Sequence, residues 1–245
     1  MTISDPSIFI LILLSGAFSA AFVQGATGFG SGLVLNAFWL HIMEPAVAIP
    51  LNVVTSFLMS GIPMYKLRKS LDFSILKRFI FFGVLGVPIG IFLLTIADPN
   101  KFKLSIGIFL VIYSILALKI SNFSIRVNLN KYIDNFIGFI SGVMGGFSAL
   151  QGILPTIWVG LQRLPKKTQR GTFEPFIFIT SFVSLSSFII TGLFTIEMLI
   201  TLFKIIPAIL IGSWLGIKTY NQINEVLFRQ VILGFILISG LVLLF

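Results

Sequence analysis

Nine residues near the start of the chain, Gln24-Gly25-Ala26-Thr27-Gly28-Phe29-Gly30-Ser31-Gly32, combine four glycines with three small polar side chains and no charge. They lie between the apolar runs Ile8–Val23 and Leu33–Leu40. Where a helix breaks at such a stretch, the missing side chains expose backbone amides. The start of the next helix then adds the positive end of its dipole. The chemistry on offer is anion binding. A looser copy, Gly142-Val143-Met144-Gly145-Gly146-Phe147-Ser148-Ala149-Leu150-Gln151-Gly152, opens a second unit of similar layout. The plainer alternative is close helix packing, because Gly28-x-x-x-Gly32 is a small-xxx-small pattern. A nucleotide loop is disfavoured: the stretch lacks GxGxxG spacing, a preceding strand and an acidic residue at the proper distance.

The other polar groups set within apolar runs are Gln24, Thr27, Ser31, Asn36, Asn52, Thr55, Ser56, Ser148, Gln151, Thr156, Thr180 and Ser181. Serine and threonine in such places usually bond back to their own helix. The amides Gln24, Asn52 and Gln151 carry more weight, since burying an amide without partners costs roughly 2–7 kcal/mol. Lys204 is the ionisable group deepest in an apolar run. It is either functional or snorkelled to the nearer interface. The predicted substrate site therefore takes Gln24, Gly25, Thr27, Gly28, Gly30, Ser31, Gly32, Asn52 and Thr55 from the first unit. The second unit gives it Ser148, Gln151, Gly152, Thr180, Ser181 and Lys204. Glu174 reads as an interfacial partner of Arg170 or an N-terminal helix charge, with a proton-coupling role for it, or for His41 and Glu44, as the weaker alternative. Trp39, Trp158 and Trp214 read as interfacial anchors, Trp158 alternatively as a wall of the site.

Several chemistries are excluded or disfavoured. The chain has no Cys, so thiolate metal sites, disulfides and Cys nucleophiles are out. Its single His41 makes a histidine metal centre or a Ser-His-Asp triad improbable. No HExxH motif and no paired intramembrane carboxylates are present, so neither an enzyme nor a cofactor or metal is predicted. A cation permease is disfavoured because Asp and Glu are missing from the centres of the apolar runs.

The elements that must hold these residues are membrane helices. Of 245 residues, 57% are hydrophobic and 10% charged, where a soluble domain carries about a quarter charged. Mean hydropathy is +1.07. Spanning helices of about 20 residues are predicted at Ala46–Tyr65, Phe79–Ala97, Phe102–Leu118, Phe173–Gly192, Met198–Ile217 and Val226–Phe245. Two pairs remain, Ser7–Val23 with Ser31–Met43 and Ile133–Phe147 with Ala149–Gln162. The second member of each pair is only about 13 or 14 residues, short for a span. Short, Gly-interrupted segments at matching places in two halves point to discontinuous helices at a transport site. No basic n-region precedes Ile8, so the first apolar run is expected to be a membrane segment and not a removed signal.

The net charge of +9 follows topology better than it follows nucleic acid. Placing the groups Lys66–Arg78, Lys119–Lys131, Arg163–Arg170 and Lys218–Arg229 in the cytoplasm puts 14 of 17 basic residues inside. Each broken pair must then enter and leave on one side, and the two halves become inverted. The fold class expected is all-α integral membrane, with two inverted-topology repeats, each a Gly-broken pair plus three transmembrane helices. Residues 1–120 form the first repeat, 121–132 a cytoplasmic linker and 133–245 the second. Pro50 and Thr55-Ser56-Phe57 match Pro175 and Thr180-Ser181-Phe182 at an offset of 125, Gly86-x-x-x-Gly90 matches Gly212-x-x-x-Gly216 at 126, and the glycine clusters align at about 117 to 120. Both GxxxG pairs read as packing seams.

Phe22-Val23-Gln24-Gly25-Ala26-Thr27-Gly28-Phe29-Gly30 in the first unit resembles the sulfite exporter (TauE/SafE-like) family. So does Ser141-Gly142-Val143-Met144-Gly145-Gly146 through Gly152-Ile153-Leu154-Pro155 in the second, and the two-unit layout extends the resemblance over nearly the whole chain. The resemblance implies a multi-pass permease of the bacterial inner (plasma) membrane that exports sulfite, sulfonates or related small anions, with proton-motive coupling. The sequence departs from more glycine-rich relatives at Phe147–Gly152, where Ser148 and Gln151 are expected to substitute for backbone donors. The expected partners are a small anionic solute and the lipid bilayer; a homodimer is allowed, nucleic acid is not. The rival readings are an anion channel of similar architecture and an importer of small carboxylates.

Overall fold

The computed structural model describes residues 5–67, 73–120, 131–162, 166–219 and 225–244. Ten helices run through them in order: α1 (Pro6–Thr27), α2 (Ser31–Trp39), α3 (Pro45–Leu67), α4 (Phe73–Ile96), α5 (Pro99–Ile120), α6 (Lys131–Ser148), α7 (Ile153–Leu161), α8 (Lys166–Ile190), α9 (Ile196–Thr219) and α10 (Glu225–Val242). No strand occurs among the described residues. Most of the expected linker, residues 121–130, lies outside them, as do 163–165 of the basic group between α7 and α8.

Local chemistry sets the helix ends. At α1 the Asp5 carboxylate accepts from the Ser7 N–H at 2.9 Å and Pro6 occupies the first turn. The helix stops where Gly28 turns left-handed, with φ of 86°, and its N–H closes on the Gln24 carbonyl at 2.7 Å. Among the described residues, five stretches are long and apolar enough to cross a membrane, at 6–27, 76–96, 99–118, 168–190 and 196–219, with shorter apolar helices at 45–61 and 230–242. Their outer faces stay apolar: Leu11, Phe81, Phe92, Phe203 and Ile238 are all exposed. Lipid, not water, is the solvent such a surface suits.

The half-helices α2 and α7 are nine residues each, about 13 Å long. They are shorter than the sequence suggested, because residues 40–43 are spent on a turn and 149–152 on the approach to α7.

Glycine seams bring the helices together. A Cβ on Gly86 would meet the Phe139 carbonyl, and one on Gly90 the Val143 carbonyl, so α4 lies directly on α6. Gly212 and Gly216 of α9 rest in the same way on the carbonyls of Phe18 and Phe22 in α1. Between them α3 crosses α8, where Phe57 stacks on Phe178 at 4.7 Å and tilts against Phe182 at 5.8 Å.

Two tryptophans correct the sequence reading. Trp39 is fully buried and its indole N–H donates to the Leu13 carbonyl at 3.3 Å, tying α2 back to α1. Trp158 is buried too and donates to Asp134 Oδ1 at 2.8 Å, tying α7 back to α6. Neither ring is presented to the lipid surface, because an indole buried in protein seeks a fixed acceptor. Asp134 also holds Arg78 at 3.2 Å. Trp214, by contrast, is 61% exposed and carries the Lys218 ammonium 5.0 Å from its ring centre.

At the far end of α2, His41 Nε2 lies 3.0 Å from Ser239 Oγ, while that hydroxyl donates to the Ala37 carbonyl. The serine proton is thus committed, and Nε2 carries the hydrogen. Burial first, and Lys103 second, push the His41 pKa below its ordinary 6.5. The folded chain then binds fewer protons at this site than the unfolded chain in the window just under pH 6.5. Stability is complete above that value and falls as the pH drops through the window. Melting curves from pH 7.5 to 5 should show this loss, and His41→Gln should flatten it; an unchanged slope in the variant would refute the assignment.

Candidate functional site

The two helix breaks meet. Gly32, in the first turn of α2, lies so close to the Ala149 carbonyl that a Cβ there would overlap it. From α2, Asn36 Nδ2 donates to the Ser148 carbonyl at the end of α6, 2.8 Å away. Asn52 of α3 completes the join, donating to Asn36 Oδ1 at 2.9 Å and to the Gly32 carbonyl at 3.2 Å. Ser56 Oγ donates to Asn52 Oδ1 and lies 3.2 Å from Ser31 Oγ. All four side chains of this relay, Ser31, Asn36, Asn52 and Ser56, are buried.

Beside the relay is a pocket of about 20 Å³ lined from both breaks: Gln24, Gly30, Ser31, Gly32 and Ser56 on one side, and Ala149, Gln151, Gly152, Ile153 and Ile177 on the other. Its volume holds about one water molecule. Neither half-helix has a side-chain cap, since Gly30 and Gly152 occupy the N-cap positions. The first amides of α2, on Ser31, Gly32 and Leu33, therefore look out of the helix start with no side chain to satisfy them. At α7 Pro155 removes one such donor.

The two glutamines differ in what they can offer. Gln24 Nε2 is held by the Gly28 carbonyl at 3.1 Å and faces Ser60 Oγ at 3.4 Å, which leaves Oε1 unpartnered. Turning this amide over would set two oxygens against each other, so Gln24 is fixed as an acceptor. Gln151 Nε2 donates to Ser181 Oγ at 2.6 Å, and its Oε1 is likewise unpartnered. Here a half-turn costs nothing in pairing. The Ser181 hydroxyl then donates to Oε1, and the freed –NH₂ becomes a donor to a neighbouring group.

The predicted residues fall into distinct places. Gln24, Gly30, Ser31, Gly32, Gln151 and Gly152 line the pocket. Asn52 and the Ser148 carbonyl belong to the relay, and Ser181 stands behind Gln151. Gly25 is packed on the Ser213 carbonyl of α9. Thr27 bonds the Val23 and Phe29 carbonyls at 2.8 and 2.7 Å, fixing the turn. Thr55 and Thr180 bond back to Leu51 and Phe176, each at 2.7 Å. Lys204 is exposed on α9 and is not among the lining residues.

Asn36 and Ser56, named among the polar groups of the apolar runs but left out of the predicted site, join the network. The argument that favoured Asn52, an amide inside an apolar run, applies equally to Asn36. Ile177 gives no polar signal at all. No group of three or more metal-ligating side chains occurs among the described residues.

Below the pocket, Glu174 of α8 packs directly on Gly28, and its Oε1 accepts from Arg170 Nε at 2.7 Å.

The family model described as Sulfite exporter TauE/SafE matches residues 12–243, nearly the whole chain. The chain belongs to the sulfite exporter TauE/SafE family. Family members are membrane transporters, in keeping with a helical, lipid-facing fold. The comparisons found no match among curated proteins and none among solved structures. Both helix breaks, and every residue that lines the pocket between them, fall inside the matched region.

Proposed function

We propose that this chain is a secondary transporter of the cell (inner or plasma) membrane that binds one small anion, sulfite, a sulfonate or a close relative, where α1–α2 and α6–α7 break. The single observation that carries the reading is the contact of the two breaks around one polar pocket. The uncapped start of α2 supplies amides, both half-helix starts supply dipole ends, Ser31 and Ser56 supply hydroxyls, and Gln151 supplies its amide after a half-turn. Gln24, fixed as an acceptor, suits a ligand hydroxyl or a water carried with the anion. Export follows from the family, and a homodimer remains compatible with it.

Two inverted repeats of five helices are the architecture we infer, and the seams support it. Phe139 and Val143, which meet Gly86 and Gly90, stand 121 residues from Phe18 and Phe22, which meet Gly212 and Gly216. Gly28 and Ala149, also 121 apart, are both left-handed, with φ of 86° and 58°. The glycine clusters thus align at 121, just beyond the range of offsets read from sequence. Equivalent helices exchange partners between halves, as a two-fold axis in the membrane plane requires. The pocket, sized for one water, must widen to take an anion, which favours a carrier that rocks its halves over a standing pore.

A thermal-shift screen of the purified chain with sulfite, sulfate, thiosulfate, sulfoacetate, taurine and small carboxylates tests the site. At least one anion should raise the melting temperature, and Ser31→Ala with Gln151→Leu should abolish the rise. Counterflow of the labelled ligand in proteoliposomes should then appear, as a simple pore gives none. A rise that survives both substitutions would place the site elsewhere.

A further inference from the structure

We infer that the anion accepted here carries a hydroxyl group beside its charge, and that Gln24 is the residue that selects for it; this rests on the anion site proposed above and narrows the class of solute that fits it.

The direction of each proton in the relay follows from its fixed ends. The Ser148 and Gly32 carbonyls can only accept, so Asn36 Nδ2 faces the first at 2.8 Å and Asn52 Nδ2 the second at 3.2 Å. Asn36 thereby turns its Oδ1 to Asn52, whose other N–H donates to it at 2.9 Å. Asn52 is left with only an oxygen to offer Ser56, and the Ser56 hydroxyl donates to it at 3.2 Å. With that proton committed, the 3.2 Å contact between Ser31 and Ser56 is made by the Ser31 hydroxyl. The relay runs one way, from Ser31 to the Ser148 carbonyl. At the pocket it ends on an oxygen with no proton to give.

Gln24 is directed by the same logic. Ser60 donates its hydroxyl to the Ser56 carbonyl at 2.8 Å, so its oxygen accepts from Gln24 Nε2 at 3.4 Å. The other Nε2 hydrogen goes to the Gly28 carbonyl at 3.1 Å. Two contacts therefore keep the amide from turning over. Gln24 Oε1, on a side chain only 1% exposed that lines the pocket, has no partner.

Among the side chains lining the pocket, only Gln151 can turn an N–H toward a ligand. The remaining donors are the backbone amides at the start of α2, where the helix dipole also favours negative charge. The first break thus presents amides for a charged group together with two acceptors, Gln24 Oε1 and Ser31 Oγ. A solute made only of acceptors, such as sulfate or an unsubstituted alkanesulfonate, satisfies the amides and leaves Gln24 Oε1 buried and unpaired. A hydroxyl on the same molecule donates to Oε1 and completes both sets. A neutral hydroxyl suits this place better than an ammonium, whose positive charge the dipole at a helix start opposes. Sites that pair a substrate hydroxyl reject the analogue lacking it, because their own polar group is then stranded.

Isethionate and 1-propanesulfonate differ only by a hydroxyl in place of a methyl group, as do glycolate and propanoate. Calorimetric titration of the full wild-type chain in detergent should favour the hydroxylated member of whichever pair binds, by at least roughly tenfold. Gln24→Met, which keeps the side-chain length and removes the oxygen, should erase that preference. Equal wild-type affinity within a pair, tighter binding of the methyl member, or binding of sulfate with neither hydroxylated probe overturns the hydroxyl requirement and leaves the anion site standing. A preference that survives in folded Gln24→Met overturns the assignment to Gln24. The wild-type ratio decides the matter even if the variant does not fold. If no anion binds the wild type, it is the anion site itself that fails.

Discussion

Gly28→Ala should destabilise the folded chain by about 2–5 kcal/mol, the sum of a left-handed penalty of roughly 1–2 and an overpacking cost of roughly 1–3. Gly28 has φ of 86°, a conformation in which an L side chain is strained wherever it points. The new methyl group would also enter the space of the Glu174 carboxylate, which cannot retreat easily because it is buried and tied to Arg170 at 2.7 Å. Gly192 separates the two costs. Its φ is 72°, yet nothing lies within 4 Å of a Cβ built on it. Gly192→Ala should therefore show only the first cost, about 1–2 kcal/mol. Unfolding in detergent would read both. Glu174→Ala added to Gly28→Ala should recover much of the overpacking part, although it exposes Arg170 to the loss of its partner. Equal losses at Gly28 and Gly192 would mean that the carboxylate does not press on the break.

The predicted architecture shows how far sequence alone reaches. The breaks at Gly28–Gly32 and near Ser148–Gly152 were legible because glycine and small polar residues interrupt runs that are otherwise apolar, and few structures tolerate that in lipid. The GxxxG seams were legible for a similar reason, since a four-residue repeat of missing side chains can only mark a close approach. Pairing across helices was not legible. Nothing in the local sequence says that Trp158 finds Asp134, 24 residues away, or that Trp39 finds the Leu13 carbonyl. Both read as interfacial anchors, Trp158 alternatively as a wall of the site, because tryptophan has an amphipathic preference and the neighbouring helix is not written in the sequence.

Direction around the helix was the other gap. Thr55 and Ser56 are adjacent, yet one bonds its own backbone and the other joins the relay; Thr180 and Ser181 divide in the same way. A hundred-degree step between neighbours decides which of them faces the partner helix. Lys204 shows the same limit, its place along α9 being clear and its exposed orientation not.

Asn36→Leu should be the most damaging change among the relay side chains, at about 2–6 kcal/mol, because it strands two buried groups that each cost roughly 1–3 when unpaired. The Ser148 carbonyl would lose its donor from α2, and the Asn52 amide would lose the acceptor it reaches at 2.9 Å. The loss should not stop at stability. Asn36 ties the half-helix of the first unit to the end of α6 in the second, so without it the two starts that frame the pocket are no longer held in register. Anion protection should vanish even under conditions where the variant remains folded. A double substitution distinguishes a relay from separate contacts. Removing both partners of a buried hydrogen bond costs less than removing one, so Asn36→Leu with Asn52→Leu should fall short of the summed single losses by about 0.5–3 kcal/mol. The recovery is partial, because Asn52 also serves the Gly32 carbonyl and Ser56. Strict additivity in that cycle would mean that Asn36 and Asn52 act independently, and the join between the two breaks would have to be carried by the Gly32–Ala149 contact alone.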